Sequence, residues 1–223
     1  MRRTPEPEEL MDDVAQAKAY ADTDFSDSNG LFVRLLKEIL PSTVKGRALD
    51  LGCGPADLTL AVAKAFPELQ IDAVDGADAM LDLAQKNLEQ DEAGKRITLI
   101  QETLPSAYLE ESAYSLVFSN SLLHHLHDPL DLWLTLQYCG KEEAYYMMMD
   151  LSRPTSEIAA DCLVESYAMN ESDQLRTDFR NSLLAAYTPD EITDQLEKVH
   201  LRRQIVEVVS DRHWAVRGQR KPR

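Results

Sequence analysis

Positive charge is what this 223-residue sequence is short of: 23 Lys and Arg stand against 39 Asp and Glu, a formal net charge of −16. A protein that grips nucleic acid by neutralising phosphates needs the opposite balance, as does one that adsorbs to an anionic membrane. Long apolar runs are also missing. The longest uncharged stretch, residues 112–127, is broken by Ser, Asn and His and is too short to span a bilayer. The opening MRRTPEPEEL has no apolar segment of the secretory kind. Cysteine is scarce, and Cys53, Cys139 and Cys162 form no CxxC or CxxH pattern. That argues against a disulfide frame or a zinc site and fits a reduced cytoplasm.

What is present is a globular composition, 44% hydrophobic, in a length suited to one elaborated domain. Residues 1 to about 10 are rich in Pro and Glu and are expected to fray. Helical stretches near 10–21 and 30–40 follow, so that 1–45 reads as an N-terminal helical lid. From Gly46 the pattern alternates. Short apolar runs at 47–51, 70–75, 96–100, 114–120 and 143–151 read as strands, separated by helical periods at 57–66 and 77–90 and by a helix opened by Asp128 and Pro129. Met147, Met148 and Met149 suit a strand buried on both faces. Two helices are expected in an insert over about 155–185. Thr188-Pro189-Asp190-Glu191 is a capping box, and 205–210 with 213–217 read as an antiparallel edge hairpin. The basic tail from Gly218 is expected to be disordered. Such β-α alternation specifies an α/β fold, a doubly wound, largely parallel sheet with helices on both faces.

The chemistry concentrates at Leu49-Asp50-Leu51-Gly52-Cys53-Gly54-Pro55. Gly-x-Gly at a strand-to-helix turn lets backbone approach a ligand where a Cβ would collide, and Asp75 ends the next strand at the spacing from which an acid reaches ribose hydroxyls. Two cofactors satisfy that geometry. A nicotinamide dinucleotide wants a third glycine where Asp57 stands, and an acid there would repel its pyrophosphate. S-adenosylmethionine (SAM) carries a sulfonium and an ammonium, which suit acids at Asp50 and Asp57 far better.

These residues resemble the class I SAM-dependent methyltransferases over roughly 46–151, and more weakly to the C-terminus. The family's acid-x-Gly-x-Gly-x-Gly is matched at Asp50, Gly52 and Gly54 and departs at Ala56, and Pro-Gly-Gly before strand five is absent. The resemblance implies a Rossmann-like, seven-stranded mixed sheet with a SAM-binding domain over 46–223. It implies cofactor contacts from Asp50, Gly52, Cys53, Gly54, Asp75, Gly76, Met80, Glu102, Thr103 and Asn120. The expected activity is methyl transfer to a small-molecule acceptor, with no membrane or nucleic-acid partner, and homodimerisation is left open.

After strand four, His124, His125 and His127 cluster where an acceptor would sit. A histidine there suits a general base, His125 ahead of His124. As a metal set they lack a fourth donor unless Asp128 or Asp150 joins, so no metal is expected. Arg153, Arg176 and Arg180 are candidates for an acidic acceptor, and Trp214 for core or a dimer surface. Two alternatives stand beside methyl transfer. One is a SAM-binding subunit without turnover. The other is a SAM-remodelling or tRNA-modifying enzyme, to which a fainter resemblance of 167–198 to the carboxy-SAM synthases points.

Overall fold

The computed structural model describes residues 1–6, 10–201 and 204–220. Strands β1 (Gly46–Leu51), β2 (Leu69–Asp75), β3 (Ile97–Gln101), β4 (Tyr114–Asn120) and β5 (Gly140–Leu151) run parallel to one another. β6 (Val206–Val208) and β7 (His213–Gln219) complete a seven-stranded sheet in the order β3-β2-β1-β4-β5-β7-β6. β7 is antiparallel to both β5 and β6, the edge hairpin expected from the sequence. β5 starts at Gly140, three residues before the expected boundary.

Alternation along each strand divides the core into two layers. Ala48, Leu116, Phe118, Met147 and Met149 face α2 (Ser26–Ile39), α3 (Asp57–Ala65) and α4 (Asp78–Glu89). Leu49, Leu51, Val117 and Met148 face α5 (Leu130–Cys139) and α8 (Pro189–Lys198). The methionine run is therefore a strand buried on both faces, as its composition requires. Trp214 is buried against Trp133, their ring centroids 6.4 Å apart, so it belongs to the core and offers no dimer surface.

Local signals place most helix ends. The capping box forms as written, Thr188 accepting from Glu191 N while the Glu191 carboxylate accepts from Thr188 N. α5 begins one residue later than expected: Pro129 is its N-cap, and the Asp128 carboxylate accepts from Leu130 N at 2.9 Å. α6 (Glu157–Ala168) and α7 (Asp173–Ala185) form the expected insert and share a small core of their own with Leu151.

The N-terminal segment departs from expectation. α1 is Val14–Ala21, and α2 begins at Ser26 and buries Phe32, Leu35 and Leu36 in the sheet's core. Arg3, Thr4 and Glu6, expected to fray, are held. Arg3 donates to Ala185 O and His124 O at 2.5 and 3.0 Å, and Thr4 N donates to Leu184 O at 3.0 Å. Residues 7–9 lie outside the described residues. At the other end Arg220 is pinned by bonds to Gln137 O and Gly140 O, while 221–223 lie outside the described residues. No helix among the described residues is long and apolar enough to cross a membrane.

Candidate active site

At the carboxyl ends of β1, β2 and β4 the chain leaves a cavity of about 420 Å³. Its floor is the turn after β1. Gly52 N and Cys53 N both donate to Val74 O, at 2.8 and 2.9 Å, which ties the turn to β2. Gly52 and Gly54 take φ of +74° and +52°, a region open to glycine and costly for other residues. A Cβ on Gly54 would meet nothing within 4 Å, so the space beside its backbone is open to a ligand. Ala56, where the resembled motif has its third glycine, takes a left-handed backbone, at φ +65°.

Asp75, the tip of β2, accepts from Gly54 N at 2.8 Å and Ala77 N at 2.9 Å, one bond on each oxygen. A carboxylate offers about four lone-pair sites, so both oxygens keep capacity for hydroxyl donors in the cavity. Burial pushes its pKa up against these amide bonds. Beyond it, Gly76 is compressed: a Cβ there would come within 2.8 Å of Leu10 and Thr103 side-chain atoms.

Of the ten expected cofactor-binding residues, nine line the cavity: Gly52, Cys53, Gly54, Asp75, Gly76, Met80, Glu102, Thr103 and Asn120. Asp50 does not. It is 2% exposed and accepts from Thr59 Oγ1 of α3 at 2.6 Å. Burial pushes its carboxyl up to about 7, against the Thr59 bond and with Asp75 nearby. The reason is the strand period: Asp50 points with Ala48 towards α3, whereas Leu49 and Leu51 point the other way. The acid of the motif thus braces helix to strand. Cys53 is a buried thiol whose pKa burial raises far above its ordinary value.

His124 and His125 both line the cavity, their ring centroids 4.1 Å apart, but they are held differently. His124 Nδ1 meets Asp150 Oδ1 at 2.5 Å, and the same carboxylate accepts from Leu123 N at 2.7 Å, fixing the loop after β4 to β5. Burial alone would depress His124, but Asp150, together with Glu6, outweighs it and raises the pKa. His125 Nδ1 pairs with Glu6, and its side chain is 19% exposed against 3% for His124. Glu6, His124 and His125 offer donor atoms within 4.8 Å of one another, yet both Nδ1 atoms are committed to carboxylates. Of the donors weighed in the sequence, Asp150 joins His124, and Asp128 caps α5 instead.

The sequence reading missed several lining residues: Tyr20, Phe25, Tyr167, Phe179, Arg212 and His213. His213 is buried and its pKa pushed down to about 4 by that burial and by Arg212. Arg153, Arg176 and Arg180 do not line the cavity. They pair with Glu191, with Glu165, and with Glu157 and Asp161 respectively. The lining's charge is one-sided. Asp24, Asp27, Asp57, Asp75, Glu102, Glu171 and Asp178 face it, and Arg212 is the one Lys or Arg among the described lining residues. Such a wall attracts a cation and repels a phosphate.

Comparison with known proteins agrees with that geometry. Residues 48–141 match a family model described as a methyltransferase domain. Over 94 residues the chain is 35% identical to a malonyl-[acyl-carrier protein] O-methyltransferase of Bacillus cereus, and over 72 residues 33% identical to a release factor glutamine methyltransferase of Rhodopirellula baltica. These matches cover 42% and 32% of this chain but only 33% and 24% of those relatives. The fold is similar to a SAM-dependent methyltransferase from Aquifex aeolicus, with a TM-score of 0.67 and 18% identity over 93% of this chain and 98% of that one. It is also similar to a Haemonchus contortus phosphoethanolamine N-methyltransferase in complex with phosphomonomethylethanolamine and S-adenosylhomocysteine (SAH). There the TM-score is 0.69 and the identity 15%, over 95% of this chain and 58% of that one.

Proposed function

We propose that the chain, whose residues 48–141 match a methyltransferase-domain model, is a class I SAM-dependent methyltransferase that binds SAM in the carboxyl-edge cavity and transfers its methyl group to a small-molecule acceptor. The observation that carries this reading is the pairing of an open glycine backbone at Gly54 with the unsaturated carboxylate of Asp75 in an acid-rich cavity.

The residues present fit that cofactor. Asp75 has lone pairs left for the two ribose hydroxyls, and Met80 and Thr103 offer an apolar wall and rim for the adenine. Asn120 Oδ1, at the tip of β4, is buried without a hydrogen-bond partner, an orphan acceptor suited to an ammonium group. The acidic lining suits a ligand with two positive centres.

When bound, SAM supplies an electrophilic methyl whose bond to sulfur breaks with its electron pair, leaving a neutral thioether. The protein's share is to align an acceptor behind that methyl, exclude water, and take a proton where the acceptor carries one. With Nδ1 held by Glu6, His125 has Nε2 as the nitrogen left to receive that proton from a hydroxyl or amine. His124, locked to Asp150, holds the loop. Residues 1–6 and 10–45 with the α6–α7 insert form the lid that selects the acceptor, with Tyr20, Phe25, Tyr167 and Phe179 as its aromatic lining. A cavity of about 420 Å³ fits small molecules, the lower part of the ordinary ligand-pocket range. Three unpaired cysteines suit a cytoplasmic setting.

Calorimetric titration with SAM and with SAH, followed by SAH formation across hydroxyl, amine and carboxylate acceptors, tests the reading. Binding of both and turnover with a subset is expected. Absence of heat with either ligand would overturn it.

A further inference from the structure

The N-terminal segment meets the site at a place the sequence did not suggest. Glu6 is only 10% exposed at its side chain, and it is held from two sides: Ser182 Oγ of α7 donates to its Oε1 at 2.6 Å, and its Oε2 meets His125 Nδ1. The segment before it is anchored independently by Arg3, which bonds His124 O and Ala185 O and lies over the Tyr187 ring at 4.2 Å. Glu6 therefore arrives at His125 on a backbone fixed to α7 and to the histidine loop.

We propose that Glu6 is a positioning residue for methyl transfer: it holds the proton of neutral His125 on Nδ1, so that the Nε2 lone pair serves the acceptor. This rests on the reading of the cavity as a methyl-transfer site. A neutral imidazole carries one proton, and the nitrogen bonded to a carboxylate keeps it, which settles the tautomer and the ring's orientation together. In the reaction the acceptor's lone pair forms the bond to the methyl carbon, and the carbon–sulfur pair leaves with sulfur. The acceptor's proton passes to Nε2, giving an imidazolium whose charge Glu6 balances. The groups that act on His125 are Glu6 from the N-terminal segment, His124 with its ring tilted against it, and Asp75 from β2. Asp150 and Arg3 act through His124, and Asp178 of α7 lines the same cavity. Burial pushes the Glu6 carboxyl up, but the His125 bond, the charges of His125 and His124 and the Ser182 bond together outweigh it and hold the carboxyl below its usual range.

The test is long-range ¹H–¹⁵N spectroscopy of histidine-labelled protein, with His125→Asn to assign the signals, alongside titration calorimetry with SAM and turnover with whichever acceptor proves active. Wild-type His125 is expected as the Nδ1-protonated tautomer. In Glu6→Gln the two neutral tautomers should mix. kcat should fall about tenfold, with SAM affinity within about twofold of wild type. Ser182→Ala, which frees Glu6 while keeping both charges, should give a smaller change in the same direction. An unaltered tautomer, or a lowered melting temperature with kcat preserved, would overturn the proposal. So would a stoichiometric metal whose chelation abolishes activity, since Glu6 would then be a ligand. Failure of wild-type protein to bind SAM would instead sink the methyltransferase reading, and the tautomer would still report on Glu6.

Discussion

Asp75 is the last residue of β2 and Asp50 the last but one of the adjacent parallel β1, yet they do different work. Asp75 faces the cavity with lone pairs to spare, whereas Asp50 turns into the β1–α3 contact and bonds Thr59. Asp75→Ala should weaken SAM binding 10–100-fold, on the order of 1–3 kcal/mol, since buried hydroxyls lose their acceptor; calorimetry reads this directly. Asp50→Asn should leave a stability signature instead. With its folded pKa near 7 and an unfolded value near 3.8, the native state binds more protons than the unfolded chain between those values, so this group lowers stability as pH rises through that window. Denaturant unfolding should find Asp50→Asn close to wild type at pH 4 and more stable by about 1–4 kcal/mol at pH 8. His213 slopes the other way: its folded pKa near 4 lies below the unfolded value, so its contribution is lost as pH falls from about 6.5 to 4. The sequence marked both aspartates as candidate ligands because each lies near a strand's end. The two-residue period that separates them is written in Ala48, Leu49 and Leu51 but outweighed by the motif.

Helices and strands with strong local signals were legible: glycine at a turn, the capping box at Thr188, and the methionine run of β5. Thr188→Ala should cost about 1 kcal/mol by removing one half of that box, measurable as a fall in the denaturant midpoint. The Trp133–Trp214 contact tests packing between α5 and β7. Trp133 Nε1 donates to Gln195 Oε1 at 2.9 Å, while Trp214 Nε1 is buried without a partner. Trp133→Phe strands the Gln195 oxygen, whereas Trp214→Phe removes an orphan donor. The first should therefore be the more destabilising by about 1–2 kcal/mol, and equal losses would contradict this. The N-terminal segment was illegible because nothing local orders it: Arg3, Thr4 and Glu6 acquire partners more than a hundred residues away. The same holds for Arg153, Arg176 and Arg180, whose acidic partners only the folded chain reveals.

At the scale of the molecule, the charge balance that argued against nucleic acid reappears as a property of the site. Arg217 is paired with Glu38 and Glu207, Arg212 with Asp211, and Arg220 is spent on backbone carbonyls. Arg212 and Arg217 are thus paired with carboxylates, while the cavity keeps seven acids and one arginine among its described lining residues. The doubly wound sheet was legible as a whole because alternation and right-handed crossovers leave few topologies, and that topology alone brings Gly54, Asp75 and Asn120 together. The lid was not, since its lining comes from four separate helices and loops. The most direct test of the account is a crystal structure of the protein with SAH. Density is expected in the cavity with both ribose hydroxyls on Asp75 and the amino group at Asn120; an empty cavity under saturating ligand, or a nucleoside bound elsewhere, would rule out SAM binding at this site.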